Sequence, residues 1–157
     1  MDKTIQGVYY DVLRINSVDT KEGVITYLSD YLKDRGCVND KYVDATINRE
    51  HIYPTGLPTK PIGIAVPHSE RENVIKPAVI MGILDNPVEF MKMEDSSSSM
   101  EAGIVFLLAL KGEDSHLNYL KNIVNYCKNQ QNIKKLYYSN THDEAFNIFM
   151  SDILRIG

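Results

Sequence analysis

Gly63-Ile64-Ala65-Val66-Pro67-His68 is a short run of apolar, β-favouring residues that delivers one histidine at its end. Proline has no N–H to give to a sheet ladder, so the strand stops there and leaves His68 at a strand edge facing solvent. An imidazole with its ordinary pKa is about half or more uncharged near neutral pH, and so is a usable nucleophile. That combination suits a histidine that takes a group from its surroundings and passes it on. Just upstream lie Arg49-Glu50 and the turn Tyr53-Pro54-Thr55-Gly56-Leu57. They add a fork-shaped cation, a hydroxyl and accessible backbone amides, all of which bind anions.

The flanks of this run alternate between helical and extended patterns. Residues 12–15 read as a short strand, and Asp19 with Glu22 forms a capping-box pattern. Val24, Tyr27, Leu28, Tyr31 and Leu32 repeat at helical spacing, and Gly36 ends that helix. A second helix from about Asp40 turns Val43, Thr46 and Ile47 inward and carries Arg49-Glu50 in its last turn. Residues 53–61 hold three of the six prolines and are too rigid for helix. Residues 62–66, 78–84, 88–90 and 103–110 read as strands, and Asp85-Asn86-Pro87 predicts a tight hairpin between the second and third. The serine-rich residues 95–99 read as a solvated, mobile loop. Asp114-Ser115 is expected to cap a helix with the inward stripe Leu117, Leu120, Val124 and Cys127. Thr141 and Glu144 cap a last helix that packs through Phe146, Phe149, Met150 and Ile153. The order β-α-α-β-β-β-α-α implies an α/β (α+β) fold, a mixed sheet of about five strands covered by helices. No repeat or linker divides it, so residues 1–157 read as a single domain.

Composition is consistent with this. A chain of 157 residues can bury a core without disulfides or metal. Its 43% hydrophobic and 24% charged content is that of an ordinary soluble globular protein. The net charge of −4 and the absence of a long Lys/Arg run argue against a nucleic-acid partner. Cys37 and Cys127 lie far apart with no CxxC spacing, which suits a reducing cytosol. No signal peptide is visible, and the most apolar run, residues 103–110, is far short of the ~20 residues a membrane helix needs. The expectation is a cytoplasmic protein without direct membrane insertion. No histidine or cysteine pair has zinc-ligand spacing, so neither metal nor cofactor is expected, and Met91-Lys92-Met93 reads as core edge.

Arg49-Glu50, the Thr55-Gly56 turn and the run Gly63 to His68, followed by His116-Leu117-Asn118-Tyr119-Leu120, resemble a known family. It is the fructose/mannitol-type enzyme IIA (EIIA) of the bacterial sugar phosphotransferase system (PTS). The Tyr-Pro-Thr-Gly-Leu turn, with its longer gap before the histidine, is more similar to the galactitol-type branch. The likeness covers roughly residues 19–138. It implies a PTS phosphotransferase in which His68 accepts a phosphoryl group from phospho-HPr. His68 then yields it to a cysteine of a IIB component, which serves a membrane IIC component during uptake of a polyol or sugar, galactitol or a relative. His116 would stabilise the phosphate, with Arg49, Thr55, Gly56 and Gly63 around it. Two departures stand out. Ser69 follows the histidine where the family often has Gly, Ala or Thr, and Glu94-Asp95 and the serine run replace a glycine common after the Phe-x-x-Met element.

Read without that resemblance, each residue has an ordinary role open to it. Arg49 could pair with Glu50 or a helix end, Thr55 could be a turn residue, and His116 an early-helix residue in a cap contact. His51 and His142 read as surface. Val66, Pro67 and Leu57, with Ile62 nearby, are expected to form an apolar rim for protein partners. A transport EIIA is the reading adopted. The alternatives are a regulatory EIIA-like module, nitrogen-type or regulator-associated, whose phosphorylation state controls partner binding, and a domain outside the PTS in which His68 is never phosphorylated.

Overall fold

Two long strands with buried side chains on both faces carry the rest of the chain around them. The computed structural model describes residues 3–156 apart from the side chains of Glu113 and Asp114. Strand β1 (Thr4–Ile5) turns through Gln6-Gly7 into β2 (Val8–Ile15). Helices α1 (Lys21–Asp34) and α2 (Tyr42–Ile52) follow, then β3 (Gly63–Ala65), β4 (Ala78–Met91) and β5 (Ser99–Ala109). The remainder is α3 (Glu113–Cys127), α4 (Gln130–Tyr137), α5 (His142–Asn147) and a π-helical turn, Ile148–Ile153. The sheet order is β1-β2-β4-β5-β3. The pairs β2/β4 and β3/β5 are parallel, and β1/β2 and β4/β5 are antiparallel. This is the mixed five-strand sheet expected from the sequence.

The period-two alternation of a strand divides the core. Ile104, Phe106 and Leu108 of β5 face a layer containing Ile123, Ile133 and Phe149. Val105, Leu107 and Ala109 face the opposite layer, with Val24, Leu28 and Tyr42. Helices therefore cover both faces, and the two central strands read as near-continuous apolar runs for that reason.

Several expected details differ. Residues 78–84 and 88–90 do not form a hairpin; they belong to one strand, β4, that pairs with β5 on both sides of a bulge. Ile83 faces Ile104 and Val88 faces Ala102, so five steps along β4 meet two along β5. The three surplus residues are Asp85, Asn86 and Pro87, all exposed. Proline is tolerated there because a bulge needs no ladder donor. The real β4–β5 connection is the serine-rich segment. Asp95 Oδ1 accepts from the backbone N–H (3.1 Å) and hydroxyl (2.7 Å) of Ser97, and Lys92 N–H reaches Ser98 C=O. It is exposed as expected, yet it is a tight turn in which Asp95 bonds the backbone two residues on. The N-terminal strand begins earlier than residue 12, at Val8.

Helix boundaries shift for local reasons. Thr20, not Asp19, caps α1, its Oγ1 accepting from Gly23 N–H at 3.0 Å. Tyr27 is 44% exposed, and Ile25 takes a buried place instead. In α2 the buried residues are Tyr42, Thr46 and Glu50, with Val43 and Ile47 only half-buried. Helix α3 starts at Glu113 with Gly112 as its N-cap, so Ser115 lies inside the helix, and the expected cap by the Asp114 side chain lies outside the described residues. Its buried side is Ile123, Tyr126 and Cys127, while Leu117 and Val124 are 60% and 38% exposed. The sequence stripe is thus turned away from the core at two of four positions. Helix α4, capped by Asn129 and burying Ile133 and Leu136, was not expected. Helix α5 is capped by Thr141, with Phe149, Met150 and Ile153 buried in the turn that extends it.

A buried carboxylate ties the N-terminal side together. Asp11 on β2 accepts from Lys3 Nζ (2.9 Å), His142 Nε2 (3.0 Å), the Tyr31 hydroxyl and Val12 N–H (2.8 Å). Burial pushes its pKa up, but the hydrogen bonds from Tyr31, Lys3, His142 and Val12 N–H together hold it below the usual carboxylate value. His142 is therefore no bare surface histidine; it links α5 to the sheet. His51 is exposed as expected and pairs with Glu22 at 2.6 Å.

The rotated face of α3 can be checked by unfolding experiments. Ile123→Ala should cost about 2–5 kcal/mol, the range for a buried large-to-small change. Leu117→Ala should cost no more than about 0.5 kcal/mol, as for an exposed site. The reverse order would restore the stripe expected from sequence.

Candidate functional site

Parallel strands deliver their C-terminal ends to the same side of a sheet, a frequent place for a site. β3 ends at Ala65, and the chain continues along β5, with Leu108 N–H reaching Pro67 C=O and His68 lying opposite Leu108. β5 ends at Ala109 and passes through Leu110-Lys111-Gly112 into α3, whose first turn carries His116. The two histidines meet with ring centroids 4.1 Å apart and planes tilted by 45°. They line an open cleft of about 780 Å³ with Arg49, Lys111, Leu110 and Leu117.

Arg49 comes from the last turn of α2. Its Nε lies 3.1 Å from His68 Nε2, and its Nη1 makes a 2.9 Å ion pair with Glu70. The expected alternative partner, Glu50, is not the one it uses. Arginine only donates, so His68 Nε2 is the acceptor and carries the lone pair. The proton then sits on Nδ1, which donates to Val66 C=O at 3.2 Å. Burial, the adjacent His116 and the Arg49 cation push the His68 pKa down to about 4, and the Val66 bond opposes them. His116 is lowered as well, by burial and then by Arg49. At neutral pH His68 is an uncharged imidazole with its lone pair on Nε2.

Thr55 occupies a different place from the one expected. It is 4% exposed, and its hydroxyl donates to Glu50 Oε1 (2.8 Å) while accepting from Val66 N–H (3.0 Å). Its own N–H donates to Glu50 Oε2 at 2.8 Å. The hydroxyl is fully committed behind the histidine and is not presented to the cleft. Gly56 and Gly63 likewise serve close backbone approach. A Cβ on Gly56 would sit 2.5 Å from Met91 C=O, and one on Gly63 would sit 2.6 Å from Glu101 C=O. Gly56 C=O accepts from Met93 N–H, so this loop is bonded to β4 beside the Glu94-Asp95 departure. The expected apolar rim also moves, because Val66 and Pro67 are buried. Of the apolar residues lining the cleft, Leu117 on α3 is exposed, and the exposed Tyr53 ring lies under the Arg49 guanidinium.

Two site groups escaped the sequence reading. Glu50 is 2% exposed and anchors Thr55. Ser69, noted only as a departure, has a buried hydroxyl with no hydrogen-bond partner and lines the cleft beside His68. A buried Glu cannot be told from a surface one when it sits next to an arginine at the end of an amphipathic helix.

Comparison with known proteins places these residues in context. Residues 11–151 match the profile of the family described as "Phosphoenolpyruvate-dependent sugar phosphotransferase system, EIIA 2". The chain is 29% identical over 132 residues to a PTS system fructose-specific EIIABC component of Bacillus subtilis (strain 168), covering 82% of this chain and 20% of that one. It is 28% identical over 107 residues to the PTS system galactitol-specific EIIA component of Escherichia coli (strain K12), covering 68% and 70%. The chain thus spans a fifth of the first relative's length. Among solved structures, it resembles the mannitol enzyme IIA of Escherichia coli in complex with phosphorylated enzyme IIB. That match has a TM-score of 0.71 and 25% identity, over 90% of this chain and 92% of that one. No helix among the described residues is long and apolar enough to cross a membrane.

The depressed His68 pKa has a consequence for stability. The folded value of about 4 lies below the unfolded value near 6.5, so between them the unfolded chain binds more protons. This group's contribution therefore makes stability rise with pH across that window. His68→Gln should flatten that part of the curve of unfolding free energy against pH. A proton-NMR titration of the His68 ring should give a midpoint well below 6.5, and a midpoint at 6.5 would contradict the buried geometry.

Proposed function

The chain belongs to the phosphoenolpyruvate-dependent sugar phosphotransferase system EIIA 2 family, and we propose that it relays a phosphoryl group through Nε2 of His68. The observation that carries this reading is the pairing of a neutral imidazole, lone pair on Nε2, with Arg49 and His116 in one open cleft. Phospho-HPr is the donor. The Nε2 lone pair attacks phosphorus, the P–N bond to the donor histidine breaks, and that electron pair returns to the donor ring. The new P–N bond leaves the proton on Nδ1, still held by Val66 C=O. In the onward step a cysteine thiolate of a IIB component attacks phosphorus. A P–S bond forms, the P–N bond breaks, and His68 is restored as a neutral imidazole.

The transferring group carries negative charge on three oxygens, and the cleft holds groups suited to it. Arg49 offers its fork of donors, Lys111 adds a cation, and the N-terminal turn of α3 adds a helix end with positive partial charge. His116 supplies a ring N–H, and Ser69 a hydroxyl in want of a partner. Thr55, Gly56 and Gly63 act behind the site by holding the loop and strand. The cytoplasm is the compartment in which such donors and acceptors meet. A polyol or sugar of the galactitol type is the proposed cargo of the cognate membrane IIC component, on the strength of the Tyr-Pro-Thr-Gly-Leu turn and the galactitol-specific relative.

Incubation with enzyme I, HPr and phosphoenolpyruvate, followed by mass spectrometry, tests this reading. One phosphoryl group on His68 is expected, labile in acid and stable in base. His68→Gln should fold normally and take no label, and labelling undiminished in that variant would remove the central claim. His116→Ala should give the same product about a hundredfold more slowly, the usual cost of losing one group that stabilises developing charge. Phosphorylated protein that transfers to no cysteine-bearing IIB component, yet changes its binding to a regulator, would favour the regulatory alternative over transport.

A further inference from the structure

Two carboxylates are buried among the described residues; Asp11 is taken up by Lys3 and His142, whereas Glu50, at the end of the helix that carries Arg49, forms no ion pair there. Each of its oxygens accepts one bond from the same residue, Thr55, from the N–H and the hydroxyl. The Thr55 hydroxyl in turn accepts from Val66 N–H, and Val66 C=O accepts from His68 Nδ1. We propose that Glu50 is a positioning residue for the relay: through Thr55 and the backbone of Val66 it holds His68 in the pose that keeps the proton on Nδ1 and the lone pair on Nε2, beside Arg49. The inference rests on His68 being the phosphoryl acceptor and adds a control on its reactivity.

The chain of bonds can transmit position because little in it is free to move. Val66 N–H is pinned on Thr55, and the next residue is proline, whose ring fixes φ. The backbone from Val66 to His68 therefore has few ways to relax without breaking a bond. Arg49 holds the other ring nitrogen, so a shift at Val66 would pull Nε2 away from its donor.

The chain is complete only while Glu50 is ionised. A carboxylate accepts on both oxygens, whereas a carboxylic acid turns one oxygen into a donor that faces a Thr55 donor. Burial pushes the Glu50 carboxyl up to about 6, while the Thr55 bonds hold it down. So do Lys21 of α1 and His51 of its own helix, the latter paired with Glu22. The pose of His68 should therefore loosen near pH 6, well above the pH at which the histidine itself is protonated.

The test measures the rate of transfer from phospho-HPr to His68 in wild type, Glu50→Gln, Thr55→Val and Thr55→Ser, from about pH 5 to pH 8. Glutamine has the shape and hydrogen-bonding pattern of the protonated acid. Glu50→Gln should be about tenfold slow at neutral pH, the effect of losing one charged-acceptor hydrogen bond, and should approach the wild-type rate near pH 5. Taking the ratio of the two rates cancels any titration of the donor. Thr55→Ser keeps the hydroxyl and should stay near wild type, while Thr55→Val should be as slow as Glu50→Gln. Long-range proton–nitrogen NMR should show the Nδ1–H form of His68 in wild type and a mixture in Glu50→Gln. A ratio that is flat with pH, or equal rates throughout, would overturn the positioning role. Should Glu50→Gln not fold, the Thr55→Ser and Thr55→Val pair reads the same chain, and equal rates in those two would overturn it. A wild type that takes no label at His68 instead overturns the acceptor assignment itself.

Discussion

The parallel pairing of β3 with β5 brings two strand ends to one edge of the sheet, and each end hands the chain on to one of the two histidines. β3 has only three residues, so its own ladder is a weak anchor. What keeps it in register is contact on every side. Gly63 lets its backbone lie against β5 and Met100, Leu57 bonds it from outside, and Ile64 and Ala65 are sunk in opposite layers of the core. A one-residue slip would exchange those layers and carry His68 away from His116, since side chains alternate along a strand. The requirement for small residues at Gly56 and Gly63 is therefore a requirement on the register of the strand, not on the anion.

The same packing sets the electrostatics. Two imidazoles and a guanidinium share a half-buried cleft: burial, His116 and Arg49 discourage protonation of His68, and burial and Arg49 discourage that of His116. Arg49 supplies fixed positive charge, so the histidines can remain neutral. For the proposed relay this divides the labour by burial: the imidazole that would react stays uncharged, and the group that would attract the anion is the one that cannot lose its proton.

Much of this was legible in the residues. The run Gly63 to His68 announced its histidine because proline forbids continuation, whereas His116 came into view through the family resemblance of His116-Leu117-Asn118-Tyr119-Leu120 and otherwise read as an ordinary early-helix residue. The sheet, its helical cover and the caps at Thr141 and Gly36 followed from periodicity and local chemistry. The misreadings have a common origin. Asp85-Asn86-Pro87 has the composition of a hairpin turn, but long-range pairing with β5 decides whether such residues reverse the chain or bulge from it. Leu117 and Val124 fit a helical stripe as well as Ile123 does; only the direction in which β5 launches α3 selects among them. Thr55 read as a turn hydroxyl open to an anion and Glu50 as an alternative partner of Arg49, because their mutual satisfaction exists only once the loop has folded back over the end of α2.

The outer edges of the sheet carry a last consequence. On β2, the N–H groups of Tyr10 and Val12 are taken by Lys3 C=O and the Asp11 carboxylate, and Ser139 is bonded by Arg14 further along. On β3, Leu57 exchanges bonds with Ile64. Among the described residues no long row of unpaired strand is offered at either margin, and strand addition between molecules is one route to slowly dissociating assemblies. A protein that approaches the cleft finds side chains and helix ends instead. Encounters made that way can be short, which suits the proposed relay: a component loaded by one protein and emptied by another would depend on letting go as much as on binding.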